Sequence, residues 1–294
     1  MMMSVKTFQN KLIDSGYMIT DRNAVLTAYL SVNDMGNRHV ASLLLDGHPG
    51  TGKTFLAEKL AQVLDAEVIF FQFYRGAGKE EILYDLDISK IIQGLSGTFV
   101  PNSFSDVCTL GVLPRAAQLS HNKKIVLILD ELDKAHPSTD AFLLDFLQYG
   151  RLSIPHIGEL TVNTTNLLVV LTKNDERDIS EPLLRRCRIV KMQLPDRDLE
   201  VHMIKKAVNE APLELCKLIV TVANKVRDCD IIISTPELVR LIKDILILYQ
   251  QREFDSIGDI IILTLFKDYE NNNTYSPQNL GGNVRAILDK IKKG

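Results

Sequence analysis

The chain has 294 residues, of which 46% are hydrophobic and 24% are charged, and this is the composition of an ordinary globular protein. The 34 basic and 37 acidic side chains leave a formal net charge of −3, which argues against a strongly basic nucleic-acid coat and against an acidic solvating tail. At roughly 150 residues per domain, the length predicts one large domain or two ordinary ones.

The cysteines and the hydropathy pattern exclude further classes of protein. The four cysteines form no C-x-x-C pair and have no histidine at ligand spacing, so neither a structural zinc site nor a disulfide framework is predicted. We expect reduced, mostly buried thiols. Residues 1–12 lack the apolar stretch of a secretory signal, and no apolar run approaches the ~18 residues of a membrane span. The sequence therefore predicts a soluble, cytoplasmic protein.

Short apolar runs alternate with helical patterns in the first two thirds of the chain. Buried strands are predicted at residues 41–45, 67–73, 124–129, 166–171 and 189–193. A helix with one apolar face is predicted at residues 55–64, between the first two strands. This alternation is typical of an α/β fold with three layers and a parallel, doubly wound sheet.

Beyond Pro195 the patterns are helical, and we expect an α/β domain at residues 1–195 followed by an α-helical domain at 196–294. Thr235 is the predicted N-cap of one of these helices, because Pro236 suits the first helical position. The predicted helices lie at residues 196–209, 213–226, 235–251, 259–269 and 283–293, and a polar loop is predicted at 270–282.

A glycine-rich segment after the first strand has the G-x-x-x-x-G-K-T pattern of a phosphate-binding loop. Glycines let successive backbone N–H groups point at phosphate oxygens, and the N-terminus of the following helix favours an anion. Lys53 is predicted to reach the β- and γ-phosphates of ATP, and the Thr54 hydroxyl is predicted to bind Mg²⁺. The predicted nucleotide-binding residues of this segment are Gly47, His48, Pro49, Gly50, Thr51, Gly52, Lys53, Thr54 and Phe55.

Two further predicted strands end in polar residues at the same edge of the sheet. Asp130 is predicted to hold Mg²⁺ through its water shell, and Glu131 is predicted to polarise the attacking water. The alternative is that these two acids, together with Asp133, only lie in the first turn of a helix, where the helix dipole favours negative charge. Asn174 is predicted to accept from water and to donate to a γ-phosphate oxygen, with a simple turn as the alternative.

Three arginines crowd the end of a short helical segment, at Arg185, Arg186 and Arg188. Two interpretations remain open from chemistry alone. The arginines could interact with the C-terminal end of the helix dipole. One of them could instead be an arginine finger that stabilises transition-state charge in a neighbouring subunit.

These residues together resemble the AAA+ ATPases of the MoxR type. The ordered segments GHPGTGKT, LILDEL, LTKND and EPLLRRC resemble that family's Walker A, Walker B, sensor 1 and arginine-finger positions. The segments QFYRG and GRLSIP with ELTV are similar to the CoxD-like and NorQ-like branch. The resemblance spans roughly residues 17–248 and implies an AAA+ core with an α-helical lid.

The resemblance also implies features that the composition does not. It implies an insert near residues 77–99 and a pre-sensor hairpin near 152–162, both facing the central pore of a hexameric ring. It implies ATP-driven remodelling of a protein partner, often one with a von Willebrand factor A domain. Arg186 matches the finger position, with Arg185 as the second candidate.

The chain departs from the family pattern at sensor 2. Related proteins often carry an arginine early in a lid helix after a Ser-Thr pair, whereas Pro236 follows that pair here. Arg240 and Arg285 are the two candidate substitutes, and for each the alternative is a solvated helix arginine.

Three residues outside the motifs have two interpretations each. Tyr17 and Ile19 either line an adenine pocket or pack in the core. Gln72 is interpreted as a plain strand-end amide in preference to a restraint on Glu131.

The function that these residues favour is Mg²⁺-dependent ATP hydrolysis by a ring that remodels a protein partner. The alternative is a DNA-directed AAA+ motor or a replication or recombination ATPase, which usually has a basic tract along its pore. The insert candidates carry Lys79, Lys90 and Arg151 against four acids, so nucleic acid is not an expected partner. A small-molecule kinase would leave the helical domain unexplained.

Overall fold

A computed structural model describes residues 3–19, 21–96, 106–154, 157–229, 231–266, 283–285 and 289. The chain forms two compact units. The first contains Met1–Gly47 and Gly52–Met192, and the second contains His48–Thr51 and Gln193–Gly294. The domain boundary at residue 195 stays a prediction.

The first unit is built on a five-stranded parallel sheet, which confirms the predicted α/β fold class. Its strand order is β2-β5-β8-β1-β9. The three central strands consist almost wholly of apolar residues because both of their faces are covered. The strands are β1 (Ala41–Asp46), β2 (Glu67–Gln72), β3 (Tyr84–Leu86), β4 (Cys108–Leu110), β5 (Ile125–Asp130), β6 (Arg151–Ile154), β7 (Gly158–Thr161), β8 (Leu167–Lys173) and β9 (Arg188–Lys191).

Helices cover both faces of the sheet. Alternate strand residues point to opposite faces, so Leu43 and Leu45 pack in one apolar core while Leu44 packs in another. The first of these cores includes the helices α1 to α3, and the second includes α4, α6 and α7. The helices of this unit are α1 (Val5–Asp14), α2 (Arg22–Asn33), α3 (Lys53–Leu64), α4 (Glu80–Leu83), α5 (Ile88–Leu95), α6 (Val112–Ser120), α7 (Ser138–Tyr149) and α8 (Glu181–Leu184).

Two small antiparallel pairs accompany the main sheet. β3 pairs with β4, and the sequence analysis did not anticipate either strand. β6 pairs with β7 in a hairpin that overlaps the segment for which the sequence suggested one. Residues 97–99 of the expected insert and residues 155–156 of the expected hairpin lie outside the described residues.

The second unit is helical, and its described residues contain no strand. Its helices are α9 (Arg197–Ala207), α10 (Leu213–Arg227), α11 (Thr235–Gln251) and α12 (Phe254–Phe266). The prediction of Thr235 as an N-cap was wrong, because Ser234 caps α11 and forms a reciprocal capping box with Glu237. α12 begins five residues before the predicted start at 259. The predicted loop at 270–282 and most of the predicted helix at 283–293 lie outside the described residues.

The structure tests the expectations about the cysteines and about membrane-spanning helices. The thiols are free, but only Cys216 is fully buried, while Cys229 is exposed. Cys108 and Cys187 are half-buried, so the expectation of mostly buried cysteines was wrong. Within the described residues, no helix has both the length and the apolar character that crossing a membrane requires.

A buried ion pair organises the helical unit. Glu200 on α9 is fully buried, and Arg227 at the end of α10 donates to both of its carboxylate oxygens, at 2.7 and 2.9 Å. Thr235 donates to the same carboxylate at 2.7 Å. Arg227 also donates to the backbone oxygen of Ile233. One arginine therefore joins α9, α10 and the segment that leads into α11.

Replacing Arg227 with methionine should destabilise the helical unit by about 3–5 kcal/mol, because the Glu200 carboxylate would stay buried without its counter-ion. The measurement is urea unfolding followed by circular dichroism. Arg197→Met is the matched control, since that arginine is exposed and donates to the exposed Thr221 hydroxyl instead of to a buried charge. Equal losses of stability in the two variants would contradict the prediction.

Candidate functional site

Parallel pairing brings the polar ends of four strands to one edge of the sheet. Gln72 at the end of β2 is in register with Asp130 at the end of β5, and Asp46 of β1 is in register with Lys173 of β8.

The glycine-rich segment leaves β1 at this edge and enters α3. Gly50 and Gly52 have φ angles of +81° and +87°, a conformation that side-chain-bearing residues rarely adopt.

Lys53 is the first residue of α3, and its ammonium group is buried at this edge. The ammonium donates to the backbone oxygen of Gly47 and, at 2.8 Å, to the side-chain oxygen of Asn174. Burial lowers the pKa of Lys53, and the attraction of nearby carboxylates, Asp130 and Asp133 foremost, offsets this only in part. The structure therefore holds a desolvated cation where the sequence places a phosphate-binding lysine.

Thr54 and Asp130 are adjacent, as a shared cation would require. The Thr54 hydroxyl donates to Asp130 Oδ1 at 3.0 Å, and the Thr172 hydroxyl donates to the same oxygen at 2.7 Å. A hydroxyl and a carboxylate are hard oxygen ligands, and Mg²⁺ commonly takes one or two protein oxygens together with substrate phosphates and waters. These two side chains therefore fit the Mg²⁺ that the sequence implies.

Glu131 follows β5 in a left-handed backbone conformation with φ +57°. Its backbone N–H donates to the Thr172 hydroxyl at 2.9 Å. A positive φ on a residue with a side chain is uncommon and often marks a functional position. The carboxylate accepts from Gln72 and from Lys134, each at 2.7 Å, so the preferred interpretation of Gln72 as a plain strand-end amide was wrong.

Burial raises the pKa of the Glu131 carboxyl, but the hydrogen bonds from Lys134 and Gln72 outweigh it, so the net pKa lies below its ordinary value. The carboxylate is consequently ionised at neutral pH. It is a hydrogen-bond acceptor on the same edge of the sheet as Lys53.

Asn174 joins the two halves of the site. Its side-chain oxygen accepts from Lys53, and its amide group donates to Glu131 Oε1 at a long 3.4 Å. Its backbone N–H donates to Asp133 Oδ2 at 3.0 Å, and that carboxylate also accepts from the backbone N–H of Glu176. Asp133 therefore fixes the loop that positions the Asn174 amide.

The arginines at 185 and 186 lie at the other end of the sheet. The backbone oxygen of Arg186 accepts from the Ser42 hydroxyl at 2.8 Å, near the start of β1. At about 3.3 Å per residue, Ser42 is roughly 13 Å from Asp46, where the glycine-rich segment begins. Both arginine side chains are exposed; one guanidinium pairs with Glu181, and that of Arg186 donates to Gln148.

The adenine candidates are largely packed inside the first unit. Tyr17 is buried and its ring stacks on that of Phe55, with centroids 6.1 Å apart. Ile19 is half-buried against the same apolar core. Phe55 is partly exposed, and the ammonium of Lys59 lies 5.0 Å from its ring centroid.

The remaining predicted residues belong to the second unit. A β-carbon on Gly50 would lie 2.0 Å from the β-carbon of Ser234, so only glycine fits beside the N-cap of α11. Thr51 is buried and its hydroxyl donates to the backbone oxygen of His48. His48 and Pro49 are exposed.

The two sensor-2 candidates differ in their surroundings. Arg240 is an exposed residue of α11. Arg285 lies over the ring of Phe254 at 4.1 Å and 3.6 Å from Asp289. Both arginines belong to the second unit, and these contacts assign neither of them a role at the nucleotide.

Thr172 and Lys134 are site residues that the sequence analysis missed. Thr172 was visible as the polar residue that ends a buried apolar run, two positions before Asn174. Lys134 was visible as a cation three residues after Glu131. The signal at Thr172 assigns no partner, because its contact with Asp130 depends on how β5 and β8 pair, whereas the contact of Lys134 with Glu131 is local.

Comparisons with known proteins concern the sequence and the fold. Residues 42–187 match the family model described as an AAA domain of the dynein-related subfamily. Lon protease 2 of Borreliella burgdorferi is 29% identical over 189 residues, which cover 62% of this chain and 22% of that protein. The chaperone protein ClpB of Mycoplasma pneumoniae is 30% identical over 173 residues, which cover 56% of this chain and 22% of that protein. The chain thus spans about a fifth of the length of these relatives.

A solved structure supports the fold. A RuvB variant from Thermotoga maritima superposes with a TM-score of 0.52 at 16% identity, covering 86% of this chain and 72% of that chain. Identity this low bears on the fold alone. Together with this fold, the family match shows that the protein contains an AAA domain, at residues 42–187.

Proposed function

We propose that the protein hydrolyses ATP with Mg²⁺ and uses the energy, as a ring of the MoxR type, to remodel a protein partner. The observation that carries the proposal is the assembly of Lys53, Thr54, Asp130, Glu131 and Asn174 at one edge of the sheet. These side chains supply a buried cation for phosphate, two hard oxygens for Mg²⁺ and an ionised carboxylate for water.

Each residue has a separate task in the proposed reaction. Lys53 binds the β- and γ-phosphates and exchanges its present hydrogen bonds for phosphate oxygens. Glu131 accepts a hydrogen bond from the attacking water, and Asn174 orients the γ-phosphate. When bound, Mg²⁺ neutralises charge on the phosphate oxygens. Thr172 holds Asp130 and the backbone of Glu131 in place through its single hydroxyl.

A protein partner is favoured over DNA by two observations. The two relatives described above are a protease and a chaperone protein, and both names concern action on proteins. The segments proposed to face a pore, residues 77–99 and 152–162, carry no net positive charge. A DNA-directed motor is the alternative, and its binding would weaken steeply with added salt. The partner with a von Willebrand factor A domain, the hexameric ring size and the cytoplasmic location stay predictions.

Glu131→Gln should leave ATP binding intact and slow hydrolysis at least about a hundredfold, because the amide no longer polarises the attacking water. The measurements are steady-state phosphate release and the Kd of a fluorescent ATP analogue. Glu58→Gln, the same substitution at an exposed position of α3, is the control. Turnover like that of the unmodified protein would rule out the role given to Glu131.

Arg186→Ala should keep ATP binding and abolish turnover, because this arginine is proposed to act on the site of a neighbouring subunit. Its place near the start of β1, at the end of the sheet away from Lys53, supports action in trans. Mixing Arg186→Ala subunits with Lys53→Ala subunits should restore part of the activity. The same mixture made with Arg185→Ala decides which arginine is the finger, and an absence of rescue in both mixtures would count against a finger here.

The mass in solution should rise from the 33.1 kDa of one chain to about six times that value when a slowly hydrolysed ATP analogue and Mg²⁺ are added. Multi-angle light scattering measures this directly. Lys53→Ala is the control, since it should not respond to the analogue. A monomer under both conditions would argue against self-assembly of this chain into a ring.

A further inference from the structure

The outer edge of the main sheet is formed by β2, which pairs with β5 alone among the described strands. At the two ends of β2, the backbone N–H groups of Glu67 and Phe73 donate to the chain of β5, at 3.0 and 2.9 Å. The hydrogen bonds of a parallel pair are evenly spaced and recur at every second residue. Val68, Phe70 and Gln72 therefore direct their backbone N–H and C=O groups away from the sheet.

The side chains along this free edge are apolar and exposed. Val68 and Phe70 are 41% and 45% exposed, although Val126 and Ile128, their register partners in β5, are fully buried. Edge strands are usually protected by a lysine, a proline or a bulge. Residues 68–71 read Val-Ile-Phe-Phe and pair regularly with β5, so this edge has none of these features. Such an edge is a template for another strand.

The edge is complementary to a second copy of itself under two-fold rotation. When two copies of β2 run antiparallel with Phe70 opposite Phe70, Val68 of each copy lies opposite Gln72 of the other. All three outward-facing residues then form hydrogen-bonded pairs, and each pair exchanges two N–H···O bonds. The two phenyl rings meet at the two-fold axis, where a cross-strand aromatic pair is favourable. A register centred one residue earlier would use only Val68 and Phe70.

The charges at the two ends of β2 favour the same antiparallel arrangement. Asp65 and Glu67 are both exposed at the start of the strand, with Lys123 as a single nearby cation. Arg75 follows the other end and its side chain is 85% exposed. Within the described residues, its one ion pair is a 3.3 Å contact with Glu176. Antiparallel pairing brings Arg75 of each copy to the acidic end of the other.

We propose that β2 is a self-association surface, through which two copies of this chain form a symmetric dimer with one continuous sheet. Such a dimer would form without nucleotide, so it is independent of the proposed ATPase. The pairing also leaves Arg186 accessible, because that arginine lies near the start of β1, three strands away from β2. A contact made by one pair of strands is small, and we expect it to dissociate on dilution.

Multi-angle light scattering without nucleotide tests the dimer. The mass should rise from 33.1 kDa toward twice that value between about 1 and 100 μM protein. Phe70→Lys should stay a single chain, because two ammonium groups would meet at the two-fold axis. Ile13→Lys, at a 54% exposed position of α1, is the matched control and should still dimerise. A single chain at the highest concentration, or an undiminished dimer in Phe70→Lys, would overturn the proposal.

Disulfide cross-linking tests the register. With Cys108 and Cys229 replaced by serine, Phe70→Cys should cross-link two chains under mild oxidation, because facing Cα atoms of a hydrogen-bonded pair are about 5.5 Å apart. Val68→Cys is the control, since it is similarly exposed but its two copies would lie roughly 13 Å apart along the strands. Equal cross-linking in the two variants, or none in Phe70→Cys, would exclude this pairing.

Charge reversal tests the antiparallel direction. Arg75→Glu should raise the Kd of the dimer about tenfold, because it sets like charges against each other at both symmetry-related ends. Adding Glu67→Lys should restore most of the affinity. A Kd that Arg75→Glu leaves unchanged would contradict the two-fold arrangement.

The Phe70→Lys variant separates this dimer from the proposed ring. With a slowly hydrolysed ATP analogue and Mg²⁺, it should still show the mass increase expected of the ring. Loss of that increase, or a dimer that forms only with nucleotide, would assign the β2 contact to the ring and overturn an independent dimer. A ring that fails to form in the unmodified chain, with the nucleotide-free dimer intact, would contradict only the proposed function. A chain that stays single while a strand of another protein occupies β2 would overturn the second copy as the occupant.

Discussion

The burial of the Lys53 ammonium is the constraint on which the candidate site depends. A desolvated cation is costly unless hydrogen bonds and opposite charges surround it. Here the backbone of Gly47 and the amide of Asn174 supply the hydrogen bonds, and Asp130 and Asp133 supply the charge. Gly47 follows β1, Asn174 follows β8, Asp130 ends β5 and Asp133 follows it, so the surroundings of the lysine form only where these three strands end at the same edge.

The parallel sheet meets that requirement through its register. With β5 in register with both β2 and β8, the residues that follow these strands share one edge. One hydroxyl, Thr172, then serves both the carboxylate of Asp130 and the backbone of Glu131. The left-handed backbone of Glu131 turns its side chain toward Gln72 and Lys134 instead of continuing the strand direction. The contacts of Asp130 with Thr172 and of Glu131 with Gln72 therefore depend on one set of strand pairings.

The helical unit also contains a buried charge, which is held by an ion pair. Glu200 is a fully buried charge, and a bidentate arginine together with Thr235 satisfies it. Each half of the chain thus contains a buried charge whose partners come from several elements. Removing one partner of such a group is strongly destabilising, because it leaves a buried charge without compensation.

The sequence by itself determined the five strands of the main sheet, the helical character of the second unit and the pattern of the glycine-rich segment, because periodicity and the spacing of glycine, lysine and threonine are local properties. It did not predict β3 or β4. It misplaced the cap of α11 by one residue, since Ser234 and Thr235 both suit an N-cap and only the reciprocal bond to Glu237 distinguishes them. Only the tertiary structure decided that Gln72 and Lys134 hold Glu131, that Thr172 holds Asp130, and that Arg186 lies near the start of β1. Except for the local contact of Lys134, three residues after Glu131, these contacts follow from strand order and register, which bring together residues 42 to 144 positions apart and leave no signal in local sequence.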